Sequence, residues 1–135
     1  MAEHYTSKHG IVGRQPMELY MVFTDLRIFK QMVPPDRQVE IEADFDTLTA
    51  TAQGMSITVR VAERHPYDLI VLEDRNAPFH FNVQIHFDDG GAGKTDFWIE
   101  ADVELNGIMK LMIGGKIREA LDKVVDGLVD ASARI

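Results

Sequence analysis

Ile117-Arg118-Glu119-Ala120-Leu121-Asp122-Lys123-Val124-Val125-Asp126-Gly127-Leu128 sets apolar side chains at Ile117, Leu121, Val124, Val125 and Leu128. That is the i, i+4, i+7, i+8, i+11 spacing of one helical stripe. Lys116, Arg118, Glu119, Asp122, Lys123 and Asp126 fill the other sides, and Glu119–Lys123 is an i,i+4 pair in the favourable order. The stretch from Gly107 to Ile135 reads as one long helix closing the chain. Gly114-Gly115 interrupts it at roughly 1 kcal/mol per glycine relative to alanine. The simplest expectation is a separate apolar turn over Ile108–Ile113, with the helix proper starting at Gly115 or Lys116. A hinge that admits ligand is the other reading.

Upstream, the period changes from 3.6 to 2. Gln38–Asp44, Thr47–Ala52, Met55–Arg64, Leu69–Asp74, Phe79–Asp88 and Thr95–Leu105 are each expected as strands. Phe81, Val83, Ile85 and Phe87 alternate with Asn82, Gln84 and His86, and Phe97, Ile99, Ala101 and Val103 alternate with Trp98, Glu100 and Asp102. The short links, including a flexible loop Asp88–Lys94, leave no room for crossover helices, so the strands pair antiparallel and one face needs a lid. The final helix is that lid. Before them, Glu3–Val12 reads as a first strand. Pro16 suits the first position of a short helix, Pro16–Phe23. A break at Thr24-Asp25 caps a second helix, Asp25–Met32, which Pro34-Pro35 stops.

The 135 residues form a single domain, 1–135, of α+β class. With 45% hydrophobic and 27% charged residues the composition is that of a globular chain, and with no cysteine it holds no disulfide or thiolate site. The start, Met-Ala-Glu-His-Tyr, has no apolar signal core, which points to a cytoplasmic protein. A net charge of −8 opposes nucleic-acid partners and anionic membrane surfaces and favours an apolar small molecule. No membrane insertion is expected, and no cofactor. The chain leaves monomer and homodimer open.

This order of elements, with Gln15–Leu26, Glu63-Arg64-His65-Pro66, Ala77-Pro78-Phe79-His80-Phe81-Asn82 and Ala101-Asp102, resembles the START-like (SRPBCC) superfamily. That is the helix-grip fold of the birch-pollen allergen, lipid-transfer START domains and polyketide cyclases. The likeness covers the whole chain and is greatest to small bacterial polyketide cyclase/dehydrase-like members. It implies a curved sheet gripping the last helix around an apolar cavity. It also implies that the first strand lies between the second and the last. Lys8 and His4 would then face outward between the acidic rows Glu40/Glu42/Asp44 and Glu100/Asp102/Glu104, sending Tyr5, Ser7, His9 and Ile11 inward. The family pattern also turns Ile70, Leu72 and Asp74 inward. The expected ligand-binding set is Tyr5, His9, Ile70, Leu72, Asp74, Phe81, Val83, Ile85, Phe97, Ile99, Ile117 and Leu121, an apolar chamber with few polar groups. A filled core is the plain alternative.

Other clusters read as structural. His80 and His86 share a strand face but stand about 20 Å apart, too far for one metal ion. His4 and His9 differ in parity. No metal-ligand spacing occurs, so no metal site is assigned. Glu100, Asp102 and Glu104 are about 7 Å apart in succession, a glycosidase-like separation, but on a solvated face nothing raises a pKa. Asp74 is read first as a turn former. Asp89–Lys94 joins strands and is no phosphate loop. No catalytic residue is assigned. The leading function is binding of a lipid-like or aromatic, polyketide-like molecule. A cyclase or dehydratase with His9, Tyr5 or Asp74 moving protons is the alternative. A protein-interaction role through Trp98 or Ile108–Ile113, as in chaperone activators of this fold, is the third.

Overall fold

A computed structural model describes residues 2–32, 40–52, 54–76 and 79–132. Pro34-Pro35, the start of the Gln38–Asp44 strand and Ala77-Pro78 lie outside them. The elements are β1 (Ala2–Thr6), β2 (Gly10–Val12), α1 (Pro16–Phe23), α2 (Ile28–Met32), β3 (Glu40–Ala43) and β4 (Thr47–Ala52). They continue with β5 (Met55–His65), β6 (Leu69–Asn76), β7 (Phe81–Gly91), β8 (Lys94–Glu104) and α3 (Gly107–Ser132). One antiparallel sheet runs β1-β8-β7-β6-β5-β4-β3, with β2 also paired to β8. Two short helices follow the first strands and the long α3 closes the chain, so the fold is the expected α+β helix grip.

Pro16 occupies the start of α1, and its apolar Leu19, Tyr20 and Phe23 are buried. Asp25 accepts the Arg27 N–H at 3.0 Å within a turn, and α2 begins only at Ile28, later than expected. The β7–β8 connection is tighter than expected. The strands run on to Gly91 and Lys94, and Gly91, Ala92 and Gly93 all take positive φ. Glycine at two of these three positions meets the left-handed turn at no steric cost.

Three expectations are corrected. First, α3 passes through Gly114-Gly115 without a break. Asn106 accepts the Met109 N–H on its side chain at 2.8 Å, capping the helix well upstream. A Cβ on Gly114 would come within 3.3 Å of the Tyr5 hydroxyl, so the missing side chain lets β1 approach. Second, β1 pairs only with β8 among the described residues, and β3 lies at the far end of the sheet. The sheet therefore stays open, and β1 does not separate the two acidic rows. Third, the first strand changes face halfway. Thr6 pairs with Glu100 and Gly10 with Phe97, so Ser7, Lys8 and His9 stand against only Trp98 and Ile99. One extra residue is a bulge that moves every later side chain to the other face. Gly10 and Val12 turn inward, while Ile11 is 57% exposed. Lys8 reaches α3, with Nζ 2.6 Å from Asp126 and its backbone N–H donating to Asp122 at 2.7 Å.

The core has two parts. The larger joins α1, β2 and the C-terminal half of α3 to the sheet through Phe23, Phe87, Phe97, Ile99, Val125 and Leu128. The smaller gathers Ala101, Val103 and Leu105 with Tyr5, Phe79, Phe81, Met109 and Ile117 under the N-terminal half of α3. Val83 and Leu121 belong to both. Val124, expected in the stripe, is exposed.

Candidate functional site

The twelve expected ligand-binding residues divide into four groups. Ile70, Leu72, Ile85, Phe97 and Ile99 are buried in the larger core, where Phe23 and Phe87 stack at 6.4 Å. They pack together in that core. Tyr5, Phe81, Val83, Ile117 and Leu121 come together under α3 and remain half-buried. His9 lies on the opposite face of the sheet, a correction that follows directly from the bulge. Asp74 sits at the end of β6, where its carboxylate accepts the Phe81 N–H at 2.8 Å and meets His80 Nδ1 at 3.1 Å. Burial opposes its charge, but these two donors outweigh it and hold the Asp74 pKa below the usual carboxylate value. This is the turn-forming role read from the sequence, although its target lies across the β6–β7 connection.

The half-buried group has a floor that position in sequence does not reveal. α3 packs chiefly on β1, β2 and β8. The inner face of β3–β5, with Ile41, Leu48, Ala50, Ile57 and Val59 set by the registers Ile41↔Ala50, Ala50↔Ile57 and Leu48↔Val59, is only half-buried. Alternation marks these residues as inward. α3 lies to one side of them, α2 contacts β3, and Leu48 packs against the larger core, so among the described residues they are only partly covered. Apolar side chains on the inner face of β3–β5 and beside the front of α3 therefore stay partly exposed, with the Tyr5 hydroxyl and the Asp74 carboxylate at their margin.

Other clefts among the described residues lie on the surface. One of about 410 Å3 is bounded by Met17, Met21, Val22 and Tyr67 beside α1. Another, of about 250 Å3, joins Asp74 and Phe81 to His80, Asp102 and Glu104 at the end of the sheet.

The outer face carries a chain of histidine–carboxylate pairs around the single tryptophan. His9 Nδ1 is 2.8 Å from Asp96, and its ring stacks on Trp98 at 4.6 Å. His86 stacks on Trp98 at 4.8 Å. Its Nε2 is 2.7 Å from Glu100 but off the hydrogen-bond direction. His4 Nδ1 lies 2.7 Å from Asp102, and Nε2 3.3 Å from Glu100. The Asp102 hydrogen bond raises the His4 pKa; slight burial opposes this and Glu100 adds to it. His4 and His9 therefore share a face, because the bulge reverses the parity between them. Among the described residues no three His, Asp or Glu side chains converge as metal ligands, and no helix is long and apolar enough to cross a membrane.

No family model matches the sequence, and no curated protein matches it. Solved structures do match over nearly its whole length. A norcoclaurine synthase point mutant from Thalictrum flavum, in complex with a transition-state analogue, aligns with TM-score 0.78 at 11% identity, covering 99% of this chain and 96% of that one. The same plant enzyme in complex with dopamine and hydroxybenzaldehyde gives 0.75 at 11% identity, covering 99% and 86%. A protein from Thermus thermophilus gives 0.71 at 13% identity, with 98% of each chain covered. At such identities the likeness speaks for the backbone alone. Together with the sheet order and the closing helix, it gives this chain a Bet v1-like helix-grip fold.

Proposed function

We propose that the protein binds an apolar or amphipathic small molecule, lipid-like or aromatic, in the trough between the sheet and the front half of α3. The observation that carries this reading is the half-burial of Phe81, Val83, Ile117 and Leu121, together with that of Ala50, Ile57 and Val59 on the same inner face of the sheet. Apolar surface left open to water in a concave site gains free energy when a guest covers it, at about 25 cal/mol per Å2. Tyr5 offers one hydroxyl to orient a polar end. Anilinonaphthalene sulfonate emission, and native mass spectrometry with a fatty acid and with an aromatic aldehyde, test the proposal. The parent chain should bind, and Val83→Trp, which adds bulk under α3, should lose binding while still unfolding in one cooperative transition, at a cost of about 1–3 kcal/mol. Equal binding by the variant, or no binding by the parent, would end the proposal.

Catalysis in the same trough is the second reading, favoured by the whole-chain likeness to a synthase solved with dopamine and hydroxybenzaldehyde. Of the three proton-transfer candidates, His9 faces the other side and Asp74 is engaged by Phe81 and His80, which leaves Tyr5. Binding without turnover is therefore the better-supported reading. Tyr5→Phe separates the two, since loss of turnover with retained binding would favour catalysis.

A further inference from the structure

The first turns of α3 carry a feature the trough does not use. Ile108, Leu111 and Met112 are 71%, 89% and 68% exposed, whereas Met109 turns inward against the sheet. Large apolar side chains clustered in water mark a surface that something covers. From Gly107 to Arg118 the helix holds Lys110, Lys116 and Arg118 and no carboxylate, the first being Glu119. Lys110 is 2.9 Å from Glu3, while Lys116 and Arg118 are exposed and have no ion-pair partner among the described residues. The positive end of the helix dipole lies at the same place. A chain with net charge −8 thus presents one small cationic, apolar tip.

We propose that this tip docks on an anionic bilayer surface. Ile108, Leu111 and Met112 enter the boundary between headgroups and acyl chains, and Lys116 and Arg118 meet lipid phosphates. Charge complementarity selects this occupant. The acidic remainder of the molecule is repelled by such a surface, so its field turns the tip toward it. A second copy joined tip to tip would set these cations against their own kind. Three side chains also fall far short of the roughly 800 Å2 per partner of a stable interface. The net charge that argues against anionic surfaces is not the local charge at this end of α3.

Co-sedimentation of the full chain tests the idea, using vesicles of phosphatidylcholine alone or mixed with phosphatidylserine. The chain should pellet only with the mixed vesicles, and less as salt rises. Leu111→Gln should lower partition by about tenfold, and Lys116→Gln by about fivefold. Lys94→Gln, at the opposite end of β8, should leave it unchanged. These positions are exposed, so the variants should melt as the parent does. Equal pelleting with both vesicle types, no pelleting at low salt, or partition indifferent to Leu111→Gln overturns the proposal. So does a dimer in sedimentation velocity that Leu111→Gln abolishes, which would assign the tip to a second copy. Docking needs no guest in the trough, so vesicle binding without probe binding would retire only the ligand reading.

Discussion

The two ends of the sheet–helix interface are built differently. At one end α1, β2 and the last turns of α3 press Phe23, Phe97, Val125 and Leu128 into a core from which water is excluded. At the other, Tyr5, Phe81, Ile117 and Leu121 touch but stay half-buried. Around the small buried cluster of Ala101, Val103 and Leu105, polar contacts fasten that end. Asp74 holds the Phe81 N–H, Asn106 caps α3, and Lys110 meets Glu3. An element held by packing resists change of shape, because each lost contact leaves a cavity. An element held by a few hydrogen bonds and ion pairs can yield to a guest. The closed end anchors the helix, and the other end leaves apolar side chains partly exposed.

The largest test of this contrast is a pair of truncations. Phe97→Ala should cost about 3–5 kcal/mol in urea unfolding. Phe81→Ala should cost about half as much, because water already reaches the ring. Equal costs would abolish the distinction. Next, Asp74→Ala should destabilise by about 1.5–3 kcal/mol through loss of a charged acceptor. Because its folded pKa is lowered, the contribution of Asp74 is present above the unfolded value, about 3.9. It should disappear as pH falls through the folded value. Acid titration of parent and variant should therefore converge at low pH.

Two glycines sharpen the comparison further. A Cβ on Gly10 would lie 2.9 Å from the Phe97 ring and 3.0 Å from Val125, so Gly10→Ala should cost about 1–3 kcal/mol. At the open end, Gly114→Ala meets only the Tyr5 hydroxyl at 3.3 Å and the Lys110 side chain at 3.5 Å. The gain in helix propensity, up to about 1 kcal/mol, should offset that contact and leave the melting temperature equal or higher. The smallest effect concerns His4. Its pKa is raised by Asp102, so its contribution is complete below the unfolded value, about 6.5, and fades as pH rises through the folded one. His4→Gln should flatten that part of the stability profile, as followed by thermal melts from about pH 5 to 8, the histidine titration range.

Sequence periodicity identified nearly every element because each strand has one wet and one dry face. Thr47–Ala52 is a strand over the same residues in the structure, and Pro16–Phe23 a helix. It failed at Ser7–His9 because parity assumes an unbroken ladder. One unpaired residue there exchanged the faces of His9 and Ile11, and nothing in the composition of Ser-Lys-His announces it. It also divided the last helix wrongly, since propensity counts a glycine pair as a cost and cannot see Tyr5 filling the space. Within the site, the sequence grouped Phe81, Val83, Ile117 and Leu121 correctly with Phe97 and Ile99 as inward residues. It could not tell the half-covered from the sealed.

Apart from His9, Ile11 and Val124, the sequence alone determined which residues turn away from water and therefore that a one-faced sheet must be covered by the last helix, because hydrophobic alternation is a local property of the chain. Only the tertiary structure decided where across the sheet that helix lies, which side chains it seals and which it leaves open. That position depends on β2 and α2 supporting α3, and those contacts join residues from opposite ends of the chain.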